Sequence, residues 1–259
     1  MAKKAKAAKT DYTQKVKFVV NSFDPNTESF SRSARDLNVT NLTTVLDALI
    51  GINESEDKKI SMRYSCRMGI CGSCAMVING RPALACETNV LREQSNTITV
   101  EPMHGHPILR GLVTDFDDFF EHHKAMKPWI MRNNPSEKYS HEKEFMQTDA
   151  QRDNFLPFSE CIKCGLCVDA CPVSNINKNF AGPQALAQAY RYYADSKDQA
   201  GDKRLEYLDT GDNVWGCEFS GSCSKVCPKS VDPAFAIQLL KTAIAKKRAD
   251  ELFSKKDEV

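Results

Sequence analysis

The sequence predicts an α+β protein. Strands and one helix fill 15–105, a linking stretch covers 106–155, and helices alone fill 156–259, behind a basic tail at 1–14. Three observations carry this. Alternating Val16, Phe18 and Val20, with an Asn79-Gly80 turn further on, mark strands in the first part. Apolar residues at helical spacing, with Pro183 and Pro233 at first helical positions, mark helices in the last part. All eleven cysteines fall into three runs, one in the first part and two in the last.

Taken in order, Lys15–Phe23 reads as a strand, Asp24-Pro25-Asn26 as a turn and Ser29–Ala34 as the returning strand. Thr40 or Asn41 is the expected cap of a helix whose apolar face is Leu42, Val45, Leu46, Leu49 and Ile50. Ala75–Ile78 and Arg81–Ala85 flank the Asn79-Gly80 hairpin turn, and Thr97–Val100 is the closing strand. Beyond Glu101-Pro102, the residues Ile108, Leu109, Leu112, Val113, Phe116, Phe119 and Phe120 predict a linker helix reaching Lys124. Residues 125–155 are polar and irregular, with one short helix expected around Ser140–Gln147. The second domain begins near Leu156. Its helices are expected from Pro183 to Ala194, over Asp202–Leu208, and from Pro233, capped by Asp232, through Ile244. His104, His106, His122 and His123 are read as surface or packing residues, and so are Tyr190, Tyr192 and Tyr193.

The balance of 35 Lys+Arg against 34 Asp+Glu gives no strong field to draw nucleic acid or acidic lipid. A hydrophobic content of 41% is enough for a core, but no apolar run approaches the ~20 residues of a spanning helix. The segment MAKKAKAAKTD lacks the apolar stretch of a secretion signal, so the chain is expected to stay where it is made. No nucleophile–base pair, Walker loop or Rossmann fingerprint stands out.

The cysteine runs carry the chemistry. Cys161, Cys164, Cys167 and Cys171-Pro172 form Cys-x2-Cys-x2-Cys-x3-Cys-Pro. In that pattern three thiolates wrap one iron–sulfur cluster and the fourth serves a second one. The partner run is Cys217, Cys223 and Cys227-Pro228. Cross-ligation gives Cys161, Cys164, Cys167 and Cys227 to a [4Fe–4S] cluster, and Cys171, Cys217 and Cys223 to a [3Fe–4S] cluster. Ser220 stands where a further cysteine would complete the second run, and its alkoxide is a candidate fourth ligand. Cys66, Cys71, Cys74 and Cys86 have the Cys-x4-Cys-x2-Cys…Cys spacing of plant-type [2Fe–2S] ligation, with Gly69 and Gly72 letting backbone amides turn toward the sulfurs. Two rivals fit less well. Disulfides belong with secretion, and zinc suits Cys-x2-Cys pairs without accounting for the longer runs. Thiolate-saturated iron offers no place for substrate, so the expected chemistry is one-electron transfer.

Ser65-Cys66-Arg-Met-Gly-Ile-Cys71-Gly-Ser-Cys74, Asn79-Gly80-Arg81-Pro82 and the two Cys-Pro runs together resemble the iron–sulfur subunit of succinate dehydrogenase and fumarate reductase, the respiratory complex II family. Gly182-Pro183, Ala189-Tyr190-Arg191 and Cys227-Pro228-Lys229 add to it, and the resemblance spans about 15–250. It implies a β-grasp [2Fe–2S] ferredoxin-like domain followed by an all-α ferredoxin-like domain with two cubane-type clusters. It also implies a flavoprotein partner carrying FAD and the dicarboxylate site, a membrane anchor with or without haem, and quinone near the three-iron end. The complex would lie peripherally on the cytoplasmic face of a prokaryotic membrane, and this chain would hold no dicarboxylate site.

In one respect the sequence departs from ubiquinone-using members, which carry a tryptophan pair shortly after the Cys-Pro of the three-iron ligand. Val173-Ser174-Asn175-Ile176-Asn177-Lys178 has none, which favours menaquinone over ubiquinone. Ser174, Asn175 and Glu218 are the candidate quinone contacts; Glu218 reads either as a proton-handling group or as a solvated carboxylate.

Overall fold

The computed structural model describes residues 13–55, 59–134, 136–137 and 144–254. Its contacts divide the chain into two compact units, Met1–Pro102 with Ile108–Val113, and Met103–Pro107 with Thr114–Val259.

The first unit is built on a mixed five-stranded sheet. Strands β1 (Thr13–Asp24), β2 (Ser29–Thr40), β3 (Ala75–Ile78), β4 (Arg81–Leu84) and β5 (Thr97–Glu101) lie in the order β2-β1-β5-β3-β4. β1 pairs antiparallel with β2 and parallel with β5, so it is flanked on both edges. Val16, Phe18, Val19 and Val20 are all buried there. β2 runs six residues beyond the expected Ala34, to Thr40. Its second half, Arg35-Asp36-Leu37-Asn38, has weak strand propensity, and the unbroken register with β1 from Ser29 to Thr40 holds it extended.

Helix α1 (Val45–Ser55) buries Val45, Leu46, Ala48, Leu49 and Ile52. Its cap is Thr44, neither Thr40 nor Asn41. Thr44 Oγ1 accepts from the Asp47 amide at 3.1 Å, and Asp47 Oδ2 accepts from the Thr44 amide at 3.0 Å. This reciprocal box shifts the start past Leu42, which is 79% exposed. At the β3–β4 turn Asn79 and Gly80 have φ of 50° and 74°, the left-handed pair of a tight hairpin.

The expected linker helix over 108–124 is a correction. Ile108–Arg110 (β6) and Val113–Thr114 (β7) are strands of a separate two-stranded sheet, and only α2 (Asp117–Ala125) is helical. Gly111, at φ +61°, exchanges backbone hydrogen bonds with Phe23 at 2.7 and 3.2 Å, and a Cβ there would stand 2.6 Å from the Ser61 carbonyl oxygen. Long-range backbone pairing thus overrides an apolar period that reads as helix.

The second unit is helical: α3 (Asp149–Asp153), α4 (Leu156–Ser159), α5 (Leu166–Asp169), α6 (Pro172–Ile176), α7 (Gly182–Tyr193), α8 (Gly201–Leu208), α9 (Ser222–Lys225) and α10 (Pro233–Ser254). Of the short helix expected at Ser140–Gln147, residues 140–143 lie outside the described ones and Glu144–Gln147 is not helical. α7 is the centre. Every residue from Gly182 to Ala189 is buried, and Leu186 and Ala189 join Leu205, Leu208, Val214, Ile237, Leu240 and Ile244 in the main core. Small residues on α7 let its neighbours approach closely. α10 buries its first half and leaves a charged second half; Asp232 Oδ1 caps it by accepting from the Phe235 amide at 3.0 Å. Among the described residues no helix is long and apolar enough to cross a membrane.

Candidate iron–sulfur sites

In the first unit the loop Cys66–Cys74 is wound so that its amides face thiols. Positive φ at Arg67 (57°), Gly69 (71°) and Gly72 (74°) makes the turns. The amides of Met68, Ile70 and Cys71 donate to Cys66 Sγ at 3.5, 3.3 and 3.2 Å. The Cys66 amide donates to Cys71 Sγ at 3.4 Å, and the Gly69 amide reaches across to Cys86 Sγ at 3.3 Å. β3 and β4 bring Cys86 back beside Cys74: the Ala85 amide donates to the Cys74 carbonyl at 3.1 Å. Cys71 is exposed, and hydrogen bonds from Ser73 and the Cys66 backbone lower its pKa to about 6. Burial instead raises Cys74 to about 12. The loop carries an exposed rim of Tyr64, Met68 and Ile70.

In the second unit the remaining seven cysteines surround two pockets. Cys161, Cys164, Cys167 and Cys227 line one, with Gln184, Val231 and Pro233. Cys171, Cys217 and Cys223 line the other, with Glu218, Phe219 and Ser220. The two Cys-Pro runs repeat one another at an offset of 56 residues, from Cys161 to Cys217, and their backbones match. Lys163 and Gly165 have φ of 56° and 81°; Phe219 and Gly221 have 57° and 72°. Each left-handed glycine precedes a one-turn helix, α5 or α9. Ser220 therefore occupies, in backbone terms, the place of Cys164. Position and conformation are kept while the soft thiolate becomes a hydroxyl.

Burial governs four of these thiols, Cys161 among them. It raises Cys164 and Cys223 to about 11 and Cys167 well above its ordinary value, with neighbouring cysteines adding to each. Thiols held this way stay protonated at neutral pH until positive charge compensates them, so loading with iron releases protons. Among the described residues no three such side chains converge on one point as ligands of a single ion. Thiols ringing a volume, with amides directed at sulfur, are the donor set that an iron–sulfur cluster requires.

The other candidates sit elsewhere. Glu218 is exposed on the rim of the three-cysteine pocket. Ser174 is buried and lines a separate cavity of about 420 Å³ with His104, His106, His122, Lys178 and Gln184. The Asn175 side chain donates to the Asp169 carbonyl at 3.0 Å. His106 is buried, its ring stacked on Phe116 at 4.7 Å, and Tyr190 packs edge-on against Phe158 at 4.9 Å. Sequence reasoning missed Gln184. Its Nε2 lies 3.9 Å from Cys161 Sγ, a contact across 23 residues with no local signature.

Two family models match. A 2Fe-2S iron-sulfur cluster binding domain covers residues 17–121, and a 4Fe-4S dicluster domain covers 157–231. The fumarate reductase iron-sulfur subunit of Mycobacterium tuberculosis is 42% identical over 227 residues, spanning 87% of this chain and 91% of that protein. This chain belongs to the succinate dehydrogenase and fumarate reductase iron–sulfur subunit family. Another member, the fumarate reductase iron-sulfur subunit of Haemophilus influenzae, is 43% identical, spanning 80% of this chain and 83% of its own length. A chain of the Mycobacterium smegmatis Sdh1 complex shares the fold, with a TM-score of 0.80 at 24% identity, covering 92% of this chain and 98% of that one. Members are subunits of an oxidoreductase complex, and the family carries [2Fe–2S], [4Fe–4S] and [3Fe–4S] clusters.

Proposed function

We propose that this chain is the electron-transfer subunit of a quinone-dependent succinate dehydrogenase or fumarate reductase, passing single electrons between the FAD of a flavoprotein subunit and quinone at a membrane anchor. The observation that carries the reading is the sorting of eleven cysteines into one amide-lined loop and two thiol-lined pockets. Cys66, Cys71, Cys74 and Cys86 hold [2Fe–2S]; Cys161, Cys164, Cys167 and Cys227 hold [4Fe–4S]; Cys171, Cys217 and Cys223 hold [3Fe–4S]. The two sites of the helical unit are thus its cubane-type pair. Bound clusters supply reversible one-electron transfer. The chain's own residues do the rest. Thiolates saturate the iron, leaving no position for a dicarboxylate. The amides of 66–71 stabilise negative charge on the sulfurs. Cys167 and Cys223 present buried sulfurs to the two sites.

The exposed apolar rim of Tyr64, Met68 and Ile70 supports flavoprotein docking at the first loop. Exposed Phe219, on the wall of the three-cysteine pocket, supports an anchor contact there, with Glu218 facing quinone and menaquinone favoured. The complex then lies on the cytoplasmic face of the membrane.

Ligand swaps test the assignment. In the purified complex, Cys171→Ala should abolish the three-iron EPR signal and leave the four-iron one, while Cys227→Ala should do the reverse. If Cys171→Ala removes the four-iron signal instead, the cross-ligation is wrong.

A further inference from the structure

We propose that Gln184 sets the reduction potential of the four-cysteine site by donating a side-chain N–H to Cys161 Sγ. The inference rests on that site holding a cluster. Gln184 stands in the first turn of α7 and is 2% exposed. Its Nε2 carries two hydrogens and has two partners: His123 Nδ1 at 3.2 Å and Cys161 Sγ at 3.9 Å. Burial, with the Lys163 charge adding to it, lowers the His123 pKa and so keeps the imidazole neutral and Nδ1 able to accept.

The amide orientation follows from chemistry. A flipped amide would turn its oxygen toward a thiolate, acceptor against acceptor. Apart from Lys229, the remaining wall of this pocket is apolar, with Ile162, Ala187, Val231 and Pro233. A buried amide in such a wall costs stability relative to a methionine of similar length, and Gln184 Oε1 has no protein partner to offset it. A packing role alone would be served by an apolar residue. Beyond its hydrogen bond to His123, what glutamine adds is a donor aimed at a ligand sulfur.

The direction follows from electrostatics. Reduction adds negative charge that is shared with the thiolates, so a donor to sulfur favours the reduced form and raises the potential. The contact is longer than the 3.2–3.5 Å amide–sulfur contacts of the first loop, so the effect is modest. Removing the donor should lower the reduced-to-oxidised ratio at the wild-type midpoint about threefold, roughly 28 mV for one electron at 59 mV per tenfold.

The test is an EPR-monitored redox titration of the whole purified complex carrying Gln184→Met or Gln184→Glu. Iron and sulfide content is measured in parallel, and the other two clusters serve as internal references. The four-iron midpoint should fall in Met and fall further in Glu, where a carboxylate faces the thiolate, while the other two midpoints hold. If Gln184→Met loses iron, the isosteric Gln184→Glu carries the test. A four-iron midpoint that is unmoved, or that rises, in an iron-replete variant overturns the inference. A wild-type complex with no four-iron signal would instead overturn the cluster assignment itself.

Discussion

Arg204→Met should cost this protein about 3–5 kcal/mol, and the structure shows where the loss falls. The Arg204 and Asp198 side chains are 3% and 1% exposed, with Nη2 and Oδ2 2.9 Å apart. The guanidinium also donates to the carbonyls of Met126 and Lys127 at 2.9 Å and of Trp129 at 2.8 Å. Asp198 in turn accepts from the Met131 and Ala200 amides. One side chain therefore ties the segment after α2 to the start of α8. Methionine fills the volume but leaves a buried carboxylate without its counter-charge and three carbonyls without their donor. For a chain of this size each kcal/mol moves the melting temperature by about 2–4 °C, so a fall of roughly 6–20 °C is expected. Arg204→Lys keeps the charge but loses the fork, and should fall in between. The assay is thermal bleaching of the visible iron–sulfur absorbance at one scan rate, with limited proteolysis of 126–134 alongside. A melting temperature within ~2 °C of wild type for Arg204→Met, with no new cleavage, would show that the Arg204–Asp198 pair does not hold this segment.

Three further outcomes are expected. Gly69→Ala puts a Cβ 2.0 Å from Glu87 Oε1 at φ +71° and disturbs the amide that donates to Cys86 Sγ, so the reduced [2Fe–2S] EPR signal should weaken or shift while the other two stay; Gly80→Ala, at φ +74° with open space around it, should cost a similar ~1–2 kcal/mol of backbone strain and leave every spectrum unchanged. Ser220→Cys restores the thiol at the place matching Cys164, so the oxidised three-iron signal should be lost and the iron content should rise by one per chain. Thr44→Ala breaks the capping box of α1 and should lower stability by about 1 kcal/mol in a denaturation series, with all clusters retained.

What the sequence made legible and what it hid divide along sequence separation. Cluster runs are local spacings, so the three groups of cysteines could be read directly, and the structure gathers the same seven around two pockets in the helical unit. The Asn79-Gly80 turn and the buried alternation of β1 are local signals too. The misreadings arise where distant partners decide. Ile108–Val113 has helical apolar spacing, yet Gly111 pairs with Phe23, far upstream. The second half of β2 is extended because β1 lies beside it. Leu42 looked like a helix residue until the Thr44–Asp47 box set the start beyond it. Arg204 and Gln184 carry no local signature; their partners are carbonyls at 126–129 and the Cys161 sulfur, far off in the sequence.

Low-temperature EPR of the purified complex reads the three different iron–sulfur centres directly. As isolated, the sample should show a near-isotropic signal from the three-iron site that disappears on dithionite reduction, when a rhombic [2Fe–2S] signal should appear. Stoichiometric zinc with no iron signal in either state would rule out electron transfer through these cysteines.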